Sequence, residues 1–154
     1  MKKILLLIIL FKSLTFAVDE KYEQLAQQSN TCAAYFGVAS ECFKNKPGAE
    51  ELSIQLYETF IDYLKISEYY YKKSIPTRSN EIIRKLTTLN VTEEIEKMGN
   101  SIEHNCGNIS VIRIENNDTC ILFYKENIEK ISKIKYKKKN PIPLIDIDED
   151  EIPF

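Results

Sequence analysis

This chain has one histidine, no Cys-x-x-Cys pair and no apolar run of membrane-spanning length among its 154 residues. Each absence removes a class of function. Without Cys-x-x-Cys a dithiol redox enzyme is not expected. The four cysteines, Cys32, Cys42, Cys106 and Cys120, stand 10, 64 and 14 positions apart, and with the lone His104 they lack the close ligand pairs that a zinc site needs. Basic residues number 21 against 23 acidic ones, a net charge of −2, so the positive excess that marks a general nucleic-acid binder is missing. No internal repeat or long low-complexity tract is present.

What is present begins with an export signal. Lys2 and Lys3 precede the apolar run Ile4 to Phe11, and Lys12 to Ala17 ends in small residues, the order of a secretory leader with cleavage expected after Ala17. The run falls short of the roughly 20 apolar residues that span a bilayer, and Lys12 interrupts it. Retention of this stretch as an anchor is the alternative. Removal of residues 1–17 takes away three lysines and no acid, which leaves 137 residues with 18 basic against 23 acidic groups, a net charge of −5. No cysteine stands at the exit to carry a lipid, so the expected product is soluble, without an integral membrane segment, in the periplasm or outside the cell.

Four cysteines in such a compartment are expected to form two disulfides. Hydrophobic spacing then sets the fold class as all-α, a small disulfide-stapled bundle of about four helices over residues 18–139. From Asp19 to Phe43 the residues Tyr22, Leu25, Ser29, Cys32, Phe36, Ala39 and Phe43 recur at three and four, one face of a helix with Gly37 its only breaker. Asn45-Lys46-Pro47-Gly48 ends it. A second helix is expected from about Ala49 to Lys73 on Leu52, Leu56, Phe60, Tyr63, Leu64 and Tyr70, with Pro76 as its stop.

The third helix follows Ser79 as N-cap and carries Ile82, Leu86, Leu89, Ile95, Met98 and Ile102, with a fresh start near Thr92 suggested by the spacing of Asn90 and Glu93. Ser110 to Ile114 reads as a short strand or as helix, and Asn116-Asn117-Asp118 as a turn. A last helix is expected from about Thr119, on Ile121, Tyr124, Ile128, Ile131 and Lys135. Residues 140–154 hold Asp146, Asp148, Glu149, Asp150 and Glu151 with little apolar mass, and are expected to form a flexible acidic tail.

Geometry constrains the disulfides. In an unbroken first helix, Cys32 and Cys42 lie about 15 Å apart along the axis, far beyond the roughly 4.4 to 6.8 Å between Cα atoms that a disulfide permits. Each must then reach Cys106 or Cys120, and the sequence does not choose between the two cross-pairings. A break near Gly37 would instead let Cys32 meet Cys42.

Candidate chemistry is sparse, and no catalytic residue, metal or cofactor is expected. His104 stands two residues from Cys106, which would suit a thiolate nucleophile or a hydrolase, but an exported cysteine with three potential partners is better read as oxidised. Asp146, Asp148 and Asp150 have the first three spacings of a calcium loop, yet Glu151 occupies the position that requires glycine. Asn90, Asn108 and Asn117 each open an N-glycosylation triplet, of the kind chance also produces in a chain rich in Asn, Ser and Thr.

Two features fit an interaction surface: the run Tyr69-Tyr70-Tyr71, since three consecutive helical aromatics cannot all face one core, and the basic stretch ending in Lys137, Lys138 and Lys139. The bland readings are one buried ring with two lying on lysine stems, and a solvated helix end.

The segment Thr31-Cys32-Ala33-Ala34-Tyr35-Phe36 resembles the cysteine-alanine-alanine-tyrosine stretch of small exported helical proteins of bacteria. The resemblance covers part of one helix. It implies a bacterial envelope location and later cysteines that staple the bundle, and no activity. The expected function is a non-enzymatic module whose partner is another protein, with an inhibitor, immunity or stress protein, and a hydrolase using His104, as alternatives.

Overall fold

The computed structural model describes residues 18–132. The expected leader at residues 1–17, Lys137 to Lys139 and residues 140–154 lie outside them. Asp19 opens the first helix, α1 (Glu20–Phe43), by accepting from the backbone amides of Lys21 at 3.2 Å and Tyr22 at 3.4 Å, while Glu20 and Glu23 set negative charge against its unpaired N–H groups. The helix runs 24 residues without a break at Gly37. The Asn45 to Gly48 turn then reverses the chain, and Gly48 takes a left-handed backbone with φ of +80°. The second helix, α2 (Glu50–Ser74), has acids in its first turn and Lys72 and Lys73 in its last, both orders favoured by the dipole. Ser79 caps the third, α3 (Asn80–Ser101), accepting from Ile82 N–H at 3.3 Å.

Two expectations in the C-terminal half need correction. No fresh start occurs near Thr92, because α3 is continuous and Asn90 spends its amide on the Tyr71 hydroxyl at 2.5 Å rather than on a cap. The last helix, α4 (Ser110–Ser132), begins nine residues earlier than Thr119 and absorbs both the candidate strand and the candidate turn. Asn116 is compatible with helix there because its side chain donates to Ile112 C=O at 2.8 Å, and Asn117 accepts from the Tyr35 hydroxyl at 3.1 Å. Four helices form the described chain, with a single 3₁₀ turn at Cys106–Asn108 before α4 and no strand among the described residues.

α1 is the central helix. Cys32, Ala33, Ala34, Tyr35 and Phe36 are five consecutive residues, none more than 4% exposed, so this stretch is covered on every side. Its most extensive partner is α2, then α3, with α4 touching all three more lightly. Small residues Ala26, Ser29, Ala33, Gly37 and Ser40 recur at three and four along α1 and let a neighbouring backbone approach closely. Ser29 Oγ therefore reaches Tyr63 C=O at 2.9 Å, and Ser40 and Ser53 each donate to the other's carbonyl at 2.9 and 3.0 Å. Hydroxyls stitch α1 to α2 where larger side chains would hold them apart.

The core is aromatic and wired with polar bonds. Tyr63, fully buried, stacks near Phe36 and Phe123 and meets Tyr124 edge to face, and its hydroxyl donates to Cys120 C=O in α4. Tyr70 donates to Asn127, whose own amide donates to Phe123 C=O at 2.7 Å. Asn30, 1% exposed, donates to the Tyr71 hydroxyl at 2.9 Å and accepts from Ser67 at 2.5 Å. Each buried polar group of this network is satisfied, which removes most of the desolvation cost of placing it there. The pairs Tyr63 with Cys120 and Tyr70 with Asn127 advance together by seven residues, so α2 and α4 run parallel.

Both disulfides are cross-pairings. Cys32 joins Cys120 and Cys42 joins Cys106, with Cα atoms 5.4 and 5.2 Å apart, and no described cysteine is free. This is the outcome that an unbroken α1 requires.

Candidate functional site

At the end of the bundle where α1 stops, α3 closes on a left-handed turn. Glu103 and His104 have φ of +54° and +52°, two successive non-glycine residues in the region that side chains disfavour. The reversal brings the His104 ring back over α3, where it meets Gly99 and bonds to Asn100 through Nε2 and Oδ1 at 3.0 Å. A Cβ at position 99 would lie 3.1 Å from the ring. Gly99 is what lets the imidazole lie against the helix.

The same turn borders an open groove of about 460 Å³ between α1, α2 and α3. Its apolar wall is made by Val38, Phe60, Ile95 and Ile102, with Gly37 beneath the Phe60 ring and Tyr57 on the rim, 55% exposed. Glu41 and Glu96 supply negative charge at its edges, and the Cys42–Cys106 disulfide and His104 close one side. Gly37 is the position where periodicity expects a breaker; its service is to leave room for Phe60, since a Cβ there would approach Cδ2 of that ring to 3.2 Å. Sequence reasoning missed the groove because its walls come from three helices. The signal that could have found it is the pair of mid-helix glycines, Gly37 and Gly99.

The tyrosine run does not form a surface. Tyr70 and Tyr71 are 2% and 3% exposed, and only Tyr69 remains partly accessible, with Lys73 Nζ 5.6 Å above its ring. The helical twist does spread the three rings, but α1 lies between the second and third and takes both: Tyr70 stacks on Tyr22, and Tyr71 bonds to Asn30. Burial pushes the hydroxyls of both above the ordinary tyrosine value. Tyr35 is pushed up to about 12 by burial, partly offset by the nearby charge of Arg113. Tyr63 and Tyr124 are raised by burial as well. These phenols are neutral at physiological pH, and Tyr71 accepts from Asn30 and Asn90 where Tyr35, Tyr63 and Tyr70 donate.

His104 is exposed, and the Asn100 amide, not a carboxylate, is the hydrogen-bond partner of its Nε2. Cys106 is oxidised, which closes the thiol route to a nucleophile. Among the described residues, no group of three or more His, Cys, Asp or Glu side chains is placed to hold a metal ion, and no helix is long and apolar enough to cross a membrane. What the arrangement can do is bind: it offers an open apolar trough, an exposed aromatic rim and two acidic edges, held rigid by a disulfide. Comparison of this chain with family models, with curated proteins and with solved structures finds no match.

Proposed function

We propose that this protein is an exported, non-enzymatic interaction module of the bacterial envelope, and that the groove beside the Cys42–Cys106 disulfide receives an apolar segment with basic flanks from another exported protein. The observation that carries this reading is the trough itself, open to solvent, walled by Phe60, Ile95 and Ile102 and rimmed by Tyr57. Glu96 at its edge favours a segment with a flanking lysine or arginine, which would compete with Lys44 for Glu41 at the other edge. Two disulfides and the leader-like N-terminus support an oxidising location. The described chain enters and leaves at the opposite end of the bundle, where Asp19 N–H bonds to Ser74 C=O and α4 ends parallel to α2, so the trough stands clear of both. An inhibitor or immunity role would use the same trough and differ only in its partner.

The test places a photoreactive amino acid at Tyr57 or, as a control, at Lys125 in the exported chain, crosslinks in living cells, and then measures binding of the purified captured protein. A discrete product from position 57 alone, with affinity reduced about tenfold by Tyr57→Ala, is expected where the bound segment buries that ring. The same products from both positions would sink the proposal.

A further inference from the structure

α3 exposes two large apolar side chains on the side turned away from its buried one. Ile83, Val91 and Met98 face the core at 2%, 3% and 7% exposure, while Ile82 and Leu89 stand 44% and 57% exposed and Leu86 is partly so. The inner side even accepts Thr87, 2% exposed, whose hydroxyl has no hydrogen-bond partner, while isoleucine and leucine are left outside. Ile82 and Leu89 are thus two large apolar side chains left to solvent on an otherwise polar outer side.

The charges on the outer side indicate the cover. At 100° per residue, Ile82, Lys85, Leu89, Glu93 and Glu96 fall on one narrow arc. On that arc the positive Lys85 precedes Leu89 and the negative Glu93 and Glu96 follow it; Lys85 also pairs with Glu81 of its own helix at 2.9 Å, while Arg84, off the arc, pairs with Glu68 of α2, and Glu94 with Lys97. Such a stripe is complementary to itself when reversed and repels itself when parallel. We propose that α3 pairs antiparallel with α3 of a second copy of this chain, Leu89 near the two-fold axis and Lys85 of each copy alongside Glu93 of the other. The contact is isologous, so every favourable pair occurs twice. The stripe is small beside the roughly 800 Å² per partner of a stable interface, which sets the dimer in the weak, concentration-dependent class.

Sedimentation velocity on the full exported chain with both disulfides intact, from the micromolar to the millimolar range, tests it. A dimer that grows with concentration and weakens with salt is expected, with Leu89→Glu monomeric throughout. Lys85→Glu should weaken the dimer about tenfold, two like-charge contacts replacing two attractive ones, and adding Glu93→Lys to it should restore the affinity. The charge pair decides the matter should Leu89→Glu fail to fold. A monomer at every concentration, or a dimer indifferent to Lys85→Glu, would overturn the proposal.

Discussion

Replacing Cys42 and Cys106 together by alanine, or Cys32 and Cys120 together, probes two loops that are nested rather than crossed. Their separations are 88 residues for Cys32–Cys120 and 64 for Cys42–Cys106, so once the inner loop is closed the outer bond constrains only the difference of 24 residues. In the chain-entropy description, closing the inner loop first stabilises by about 4.3 kcal/mol and adding the outer by about 3.4, whereas the outer alone contributes about 4.6 and the inner then adds about 3.1. Loss of either bond singly therefore costs about 3 kcal/mol, and loss of both about 8. The difference between the single losses widens on packing grounds: Cys32 and Cys120 are each 1% exposed and would leave a buried void, while Cys42 and Cys106 are half-buried. Urea unfolding of the three variants, followed by circular dichroism, measures all of this. The outer-pair variant should be the less stable of the two, and the fourfold variant should approach or pass unfolding, given total stabilities of about 5 to 15 kcal/mol. An inner-pair variant less stable than the outer, or a fourfold loss smaller than the sum of the two, would refute the nested-loop reasoning.

Other perturbations test other parts. Asn30→Ala strips the partner from Ser67 and one donor from Tyr71 in a site 1% exposed, and is expected to lower stability by about 3 kcal/mol in the same assay. Tyr35, held up to about 12 by burial, ionises more readily unfolded than folded. Its contribution is intact below the ordinary tyrosine value near pH 10 and declines from there toward about pH 12, by as much as about 1.4 kcal/mol per pH unit. The other raised tyrosines add to the decline, so the urea midpoint should fall between about pH 9 and about pH 11, and a constant midpoint would count against burial as the cause. Gly48→Ala should cost about 1 kcal/mol and Glu103→Gly should gain about as much or slightly less, since φ is +80° at the first and +54° at the second; opposite signs in thermal melts check the pair.

Four helices, the turn at Asn45 to Gly48 and the Ser79 cap were legible in the sequence because each rests on local chemistry: spacing, backbone freedom, one hydroxyl. The exclusion of a Cys32–Cys42 bond followed from helix geometry alone. What failed was set by neighbours distant in sequence. Val111 and Ile112 carry β-branched side chains and Asn116 to Asp118 look like a turn, yet Ile112 is buried and Cys120 is tied to Cys32, so tertiary contact overrides weak propensity in α4. In α3 the stripe of Ile82, Leu86 and Leu89 competes with that of Ile83, Thr87 and Val91, and nothing in a single helix says which one faces in. Of Tyr69, Tyr70 and Tyr71, two are buried where one was expected, because the residue opposite Tyr71 is an asparagine able to satisfy its hydroxyl. The groove depends on three helices meeting and left only its two glycines as a trace.

The Cys32–Cys120 bond also decides how the molecule would bear a pull on its ends. Tension applied at the two ends of the described chain passes along α1 as far as Cys32, crosses the sulfurs, and leaves through α4 from Cys120, so the 88-residue loop between them carries none of it. Only the outer turns of two helices can be drawn out before a covalent bond takes the load. The trough, which lies wholly inside that loop, would keep its shape on a chain stretched between two attachments.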